Sequence, residues 1–345
     1  MKVNLEELSK ALKFVLLVVG FFGAIFITYY FYKHFQYSRL PKIPVSSLNI
    51  TEDKDLRKDQ PKVVFNGAKV KLRGEAQIYF SSSKAGRLDS KKATKLAKIF
   101  NFKGSPTKTG GLLMWSESKR RFLVDLSDQT IILAESTTAE KLAPVSEFPS
   151  KEKVNSKARE VLKQLSFPES AIDFKKPTSS FSTGVGVGDQ RKSSEARVKA
   201  VDYPFKVDNL SVFGVDTKPL TFQIKISKDN KLLGFTAPWQ PFDWDLVEKY
   251  PLKGIGQAAE EIAAGGGSIV QITSTITAIK GTQGNKQLNQ INLIGVDLGY
   301  YATVGQGGYY LVPIYIFTGK ATFKSAEYSD IVFYISALPD RFISE

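Results

Sequence analysis

The chain has 345 residues, a formal net charge of +14, one histidine and no cysteine. That composition excludes thiol catalysis, thiolate metal sites and disulfide frameworks, and with His34 next to an apolar run it leaves the rest of the chain no imidazole for a triad. The cation excess favours contact with anionic surfaces, or else serves as solubility charge on helix faces.

In chain order, the first element is an apolar helix. Phe14 to Tyr32 runs nineteen positions without a charge, closed by Lys13 and Lys33. At about 1.5 Å per residue it spans roughly 28 Å, the thickness of a bilayer's hydrocarbon core. Tyr29, Tyr30 and Tyr32 cluster at one end, as in an interfacial aromatic belt. A buried core helix and a cleaved signal peptide are the rival readings. A signal peptide needs a shorter apolar region ending at small residues, whereas this run ends in bulky aromatics. The expected division is a short cytoplasmic tail (1–13), a transmembrane anchor (14–32) and a stalk (33–62). Lysines flank both ends, so charge does not decide orientation; a short tail before a large domain favours an extracytoplasmic domain. His34 reads as an interfacial residue. Gly20 and Ala24 have the spacing of a helix-pairing motif, and Asn49 and Asn209 begin N-x-S/T triplets.

Pro41, Pro44 and Pro61 break regular structure, and 51–60 is polar throughout. Strand-like text follows at 63–74 and 76–80. Ala93, Leu96, Ala97 and Phe100 then repeat at helical spacing behind a cap at Asp89 or Ser90, with Lys91, Lys92, Lys95 and Lys98 on the other face. Seven Lys/Arg stand between Lys84 and Lys103 against one Asp. Short strands are predicted at 112–118, 120–127 and 129–136. A second helix, capped at Asn155 or Ser156, carries Ala158, Val161, Leu162 and Leu165 inward. Strands follow at 196–205, 210–215, 220–227 and 231–237, the alternation in 221–227 implying one wet face. A third helix (253–265) presents Ile255, Ala258, Ala259 and Ile262, and the strands after it are 269–281, 290–304, 309–323 and 330–338. The expected fold class is α+β, with three helix-on-antiparallel-sheet units at 63–150, 151–250 and 251–345.

Few residues offer chemistry. Asp243 and Asp245 flank Trp244, and alternate spacing places both carboxylates on one side of an extended segment. With Trp239 nearby they could form a glycosidase-like pair, or simply cap and pack a loop. GVGVG (184–188) lacks the P-loop pattern and reads as linker or hairpin. Tyr300, Tyr301, Tyr309, Tyr310 and Tyr315 offer large contact area at small entropic cost, although alternation sends part of the set inward.

The segments GYYLVPIYIFTG (308–319) and FYISAL (333–338), after a helix that follows YPL, resemble the terminal unit of PepSY-like extracytoplasmic proteins. The YycH/YycI-type regulators, which begin with one transmembrane helix, belong to that group. NFKGSP, MWSES, RFLVDLS and TIILAE are similar to its preceding unit. The resemblance spans roughly 85–340 and implies a helix packed across a curved antiparallel sheet, with a role in binding, inhibiting or controlling membrane partners. It carries over no catalytic residue and no cofactor. The function expected is a non-catalytic binding, regulatory or assembly protein held in the bilayer by 14–32. Its expected partner is a protein or anionic envelope component, not nucleic acid, and a homo-oligomer is open. Partner contacts are expected at Tyr300, Tyr301, Tyr309, Tyr310, Trp239 and Trp244. The alternatives are an envelope hydrolase using Asp243 and Asp245, and a structural subunit of a membrane complex.

Overall fold

The computed structural model describes residues 5–43, 61–67, 72–82, 87–135, 147–182, 196–214, 219–239, 244–274, 288–305, 308–323 and 328–344. It is a mixed α/β structure, mostly sheet, behind one long N-terminal helix. That helix, α1 (Leu5–Ser38), is long and apolar enough to cross a membrane, and its apolar side chains from Phe14 to Tyr32 are exposed except for half-buried Val18. The buried-core alternative fails here, because no described residue covers this run.

The first sheet has eight strands, every neighbour antiparallel. One half comprises α2 (Ser90–Ile99), β3 (Thr107–Thr109), β4 (Leu112–Glu117), β5 (Arg120–Asp125) and β6 (Thr130–Glu135). The other comprises α3 (Lys151–Leu165), β7 (Thr178–Ser182), β8 (Val198–Pro204), β11 (Thr221–Ser227) and β12 (Leu232–Pro238). Strand order is β3-β4-β5-β6-β12-β11-β8-β7, so each half runs in chain order from edge to seam, and β6 meets β12 antiparallel. The halves are thus related by a two-fold at the seam. Both helices lie over one face: Ala93, Leu96 and Ala97 of α2 join Ala158, Val161, Leu162 and Leu165 of α3 in a core with Trp115, Phe122, Ile224 and Phe235. The other face is wet, and the strands alternate accordingly.

The helix ends follow local chemistry. Asp89 caps α2, its carboxylate accepting the Lys92 amide at 2.7 Å. For α3 the cap is Ser150 in place of the expected Asn155 or Ser156, with Glu152 in the first turn. The helix therefore starts a turn earlier than its apolar stripe suggests. Ser166, at φ 60°, closes it in a left-handed cap.

The second sheet has nine strands and is not built from one stretch of chain. Its long strands are β15 (Leu288–Gly305) and β16 (Gly308–Phe323). Around them stand β1 (Lys62–Phe65), β2 (Glu75–Ser82), β9 (Lys206–Val207), β10 (Leu210–Phe213), β13 (Asp245–Pro251), β14 (Ser268–Ser274) and β17 (Tyr328–Ser336). The main path is β13-β2-β16-β15-β10-β9; β1 pairs parallel with β15, and β14 extends from β17. The serial units 63–150, 151–250 and 251–345 are therefore redrawn: 62–82, 206–213 and 245–251 all pair into the C-terminal sheet. The physical reason is strand length. Two strands of 18 and 16 residues expose more backbone donors and acceptors than their hairpin partner satisfies, and short strands laid end to end fill the rest.

Pro313 shows how that filling works. On one flank of β16, β2 pairs with 308–311 and β17 with 314–322. Pro313 lies where one neighbour hands over to the other, and its carbonyl accepts the Ala337 amide at 3.0 Å. In an antiparallel ladder a residue's N–H and C=O point the same way, so the missing donor faces the handover gap.

Both faces of β16 are buried. Tyr315 and Phe317 share a core with Ala258, Ala259 and Ile262 of α4 (Ile255–Ala263). The Tyr315 hydroxyl also donates to the Lys253 carbonyl at 2.7 Å, tying the approach to α4 onto the strand. Val312, Ile314 and Ile316 face a different core, shared with Ile43, Tyr250, Leu338 and Phe342.

Candidate functional site

Two places gather residues that a functional role could use: a groove where the two sheets meet, and the joint between α1 and the domain.

The groove encloses about 440 Å³. Its apolar lining comes from Pro168 and Ala171 after α3, Phe205, Val207 and Val212 around β9 and β10, and Trp244 before β13. Ser170, Lys206, Asp208 and Asn209 supply the polar rim. The β9–β10 hairpin that forms one wall turns on Asp208 and Asn209, at φ 50° and 63°. Two successive positive φ values are the type I′ pattern, matched to strand twist and tolerated best by Asn, Asp and Gly. Arg73 pairs with Asp208 and also donates to its carbonyl at 3.3 Å, fixing the turn against the segment that leads into β2. An Asp-Asn pair between strand-like stretches is a hairpin signal the sequence carries. Asn209 had stood out only as part of a glycosylation triplet.

Of the expected contact residues, Trp244 lines the groove and is half-buried. Trp239 sits edge-on to Phe167 with ring centroids 5.2 Å apart, at the margin of the first core. Tyr309 is half-buried. Tyr300, Tyr301 and Tyr310 are buried, and this corrects the expectation that they form contact surface. Strand alternation sends Tyr300 into the first core beside Tyr79, at 5.6 Å between centroids, and Tyr301 and Tyr310 into the core around Ile43. The Tyr300 hydroxyl is buried, and burial pushes its phenol well above the usual range. Asp245 opens β13 with an exposed side chain, in register with Phe80. Asp243, Asn49 and 184–188 lie outside the described residues. Among the described residues no three His, Cys, Asp or Glu side chains gather to hold a metal.

The joint corrects the stalk expectation at its base. The helix continues to Ser38, and the chain then enters the domain: Ile43 is 2% exposed and forms a parallel bridge with Ile343. Its amide donates to the Phe342 carbonyl at 2.7 Å, and its carbonyl accepts the Ser344 amide at 3.0 Å. Tyr250 donates its hydroxyl to the Pro41 carbonyl at 2.8 Å. On the helix itself, Lys33 Nζ lies 2.6 Å from Glu75 Oε1, the Tyr37 hydroxyl donates to the same oxygen, and Lys249 lies 3.0 Å from Oε2. Lys33, Tyr37 and Lys249 together hold the Glu75 carboxyl down at about 2. Pro41 does end regular structure, but an irregular segment can still bury its side chains. Nothing in local spacing links Lys33 to a carboxylate 42 positions on.

The chain matches no protein-family model and no curated protein sequence.

Proposed function

We propose that the protein is a membrane-anchored, non-catalytic binding or assembly protein whose folded body stands on the extracytoplasmic side and engages a protein or envelope component. The observation that carries this reading is the joint. A simple tether needs no buried Ile43, no Tyr250–Pro41 hydrogen bond and no Glu75 bridge between helix and sheet. Such features hold a domain at a fixed distance and attitude to the bilayer, which matters when a surface must meet a partner also bound to that membrane. The groove around Trp244 is the contact site we assign, being concave, apolar-floored and polar-rimmed. A relation to PepSY-like proteins is part of the same proposal, supported by two halves that each place a helix before four antiparallel strands.

Two experiments test it. A chain without cysteine permits single-site labelling: Ser105→Cys, at an exposed turn, should react with a membrane-impermeant maleimide on intact cells. Labelling only after permeabilisation overturns the orientation. A photo-crosslinking residue in place of Trp244 should capture a discrete partner in native membranes, with capture lost when Phe205→Ala reshapes the groove. Loss of a measurable hydrolytic activity in Asp243→Asn/Asp245→Asn at unchanged melting temperature would establish the enzyme reading instead.

A further inference from the structure

Where the exposed apolar run of α1 ends, the joint holds a second cavity. It encloses about 430 Å³ between the last turns of α1 and the strands β2 and β13. Its lining begins at Tyr32, the last residue of the uncharged run, and continues through Gln36 to Arg39, the first residue beyond the helix. That fixes its level against a bilayer. Lys33 to Ser38, all helical, rise about 9 Å. The headgroup layer adds roughly 5–7 Å to each side of the hydrocarbon. With the apolar run filling the hydrocarbon, this cavity opens inside the headgroup layer, where phospholipid headgroups surround it.

Charge inside the cavity is unequal. Lys33, Arg39 and Lys249 face Glu75 and Glu248, three cations against two carboxylates, which leaves one positive charge over. Glu75 is already shared, with Lys33 2.6 Å from one oxygen and Lys249 3.0 Å from the other. Arg39 is exposed and makes no ion pair among the described residues; its guanidinium lies over the exposed Phe35 ring, 3.9 Å from the centroid. Stacking of that kind orients the guanidinium and leaves the donors on its edge available, and their planar fork matches two oxygens of a phosphate group. We propose that this cavity binds the headgroup of one anionic glycerophospholipid, with Arg39 paired to its phosphodiester. A single surplus cation matches a lipid of one net negative charge, whereas a zwitterionic headgroup would leave that cation unanswered. The inference rests on the reading of α1 as a membrane span and holds for either leaflet. It does not involve the Trp244 groove.

The test uses the full chain in nanodiscs that mix phosphatidylglycerol, phosphatidylcholine and phosphatidylethanolamine in equal parts. After release into mild detergent, native mass spectrometry counts the phospholipid that stays bound. The parent chain should retain a single phosphatidylglycerol in preference to the other lipids. Arg39→Gln should cut that preference about tenfold, the worth of one charge-assisted pair. Arg39→Lys keeps the charge without the fork and should lose most of the preference as well; full retention would mean attraction by surface potential alone and would overturn the site. Lys103→Gln removes the same charge from the exposed turn after α2 and should change nothing, so an equal loss there also overturns it. Excess inorganic phosphate should leave the lipid in place; displacement at constant ionic strength would give the cavity to free phosphate instead. Equal retention of all the lipids, or a preference for phosphatidylethanolamine, contradicts the proposal. A parent chain that fails to enter the discs overturns the membrane reading and the site with it, whereas entry without selectivity overturns the site alone.

Discussion

The two sheets differ in how many faces they bury, and that difference organises the molecule. In the eight-stranded sheet one face holds both helices and the other meets water, so β11 alternates between buried and half-buried positions almost to its end. In the nine-stranded sheet the middle of β16 is buried on both faces, by α4 on one side and by the segment after α1 with the C-terminal residues on the other. The first sheet is a platform with an outward surface. The second is the root, where the chain leaving α1 becomes part of the core.

The largest effects should separate one-faced from two-faced strands. Phe317→Ala should cost about 3–5 kcal/mol and Ile314→Ala about 2–5 kcal/mol, although they point to opposite faces of β16. On β11, Ile224→Ala should cost about as much as Ile314→Ala, while its neighbour Gln223→Ala, losing only a 2.8 Å hydrogen bond to Asp202, should stay within about 1 kcal/mol. Chemical denaturation of the reconstituted chain reads all four. A cheap Ile314→Ala would mean that the face toward Ile43 is not a core.

How much was legible in the sequence follows the same divide. Where one face is wet, period and face can be read directly: Ala93, Leu96 and Ala97 on α2, and the strands at 112–117, 120–125 and 130–135, stand where their spacing put them. The terminal helix was legible as well, since a helix of small residues restricts its own placement. Pairing of 62–82 with strands beyond 245 was not, because register across such separations leaves no mark on local pattern. At the joint, Tyr37, Leu40 and Ile43 lie among prolines and polar residues, so no period announced their burial. At the groove, Trp244 was legible as an aromatic in a loop; the Asp208–Asn209 wall needed the turn to be recognised.

Ala259→Trp sharpens the comparison from the helix side. It should overpack the contact of α4 with Phe317 and cost about 1–3 kcal/mol by thermal unfolding; a tolerated tryptophan would mean that α4 does not cross the sheet closely. Tyr250→Phe removes the hydroxyl that reaches Pro41 and should cost about 0.5–1.5 kcal/mol, with no effect on the eight-stranded sheet.

The smallest effect is tied to pH. Glu75 is held at about 2 in the folded chain, against ~4.3 for an unperturbed glutamate. A depressed carboxylate contributes stability that is present above the unfolded value and is lost as pH falls through the folded one. Glu75→Gln should therefore lower stability at pH 7 by no more than about 1 kcal/mol, the pair being partly exposed. The gap to the parent should narrow below pH ~4.3 and close near pH 2. A gap that is constant across that range would remove the charge bridge from the joint.

The central claim is that the chain leaving α1 is part of the domain's core, and amide hydrogen exchange on the full chain tests it without any substitution. The Ile43 amide, bonded to the Phe342 carbonyl at 2.7 Å and buried with its side chain, should be protected for as long as the amides of β16. Exchange at Ile43 at the rate of an open chain, while β16 stays protected, would make the segment a tether and contradict the account.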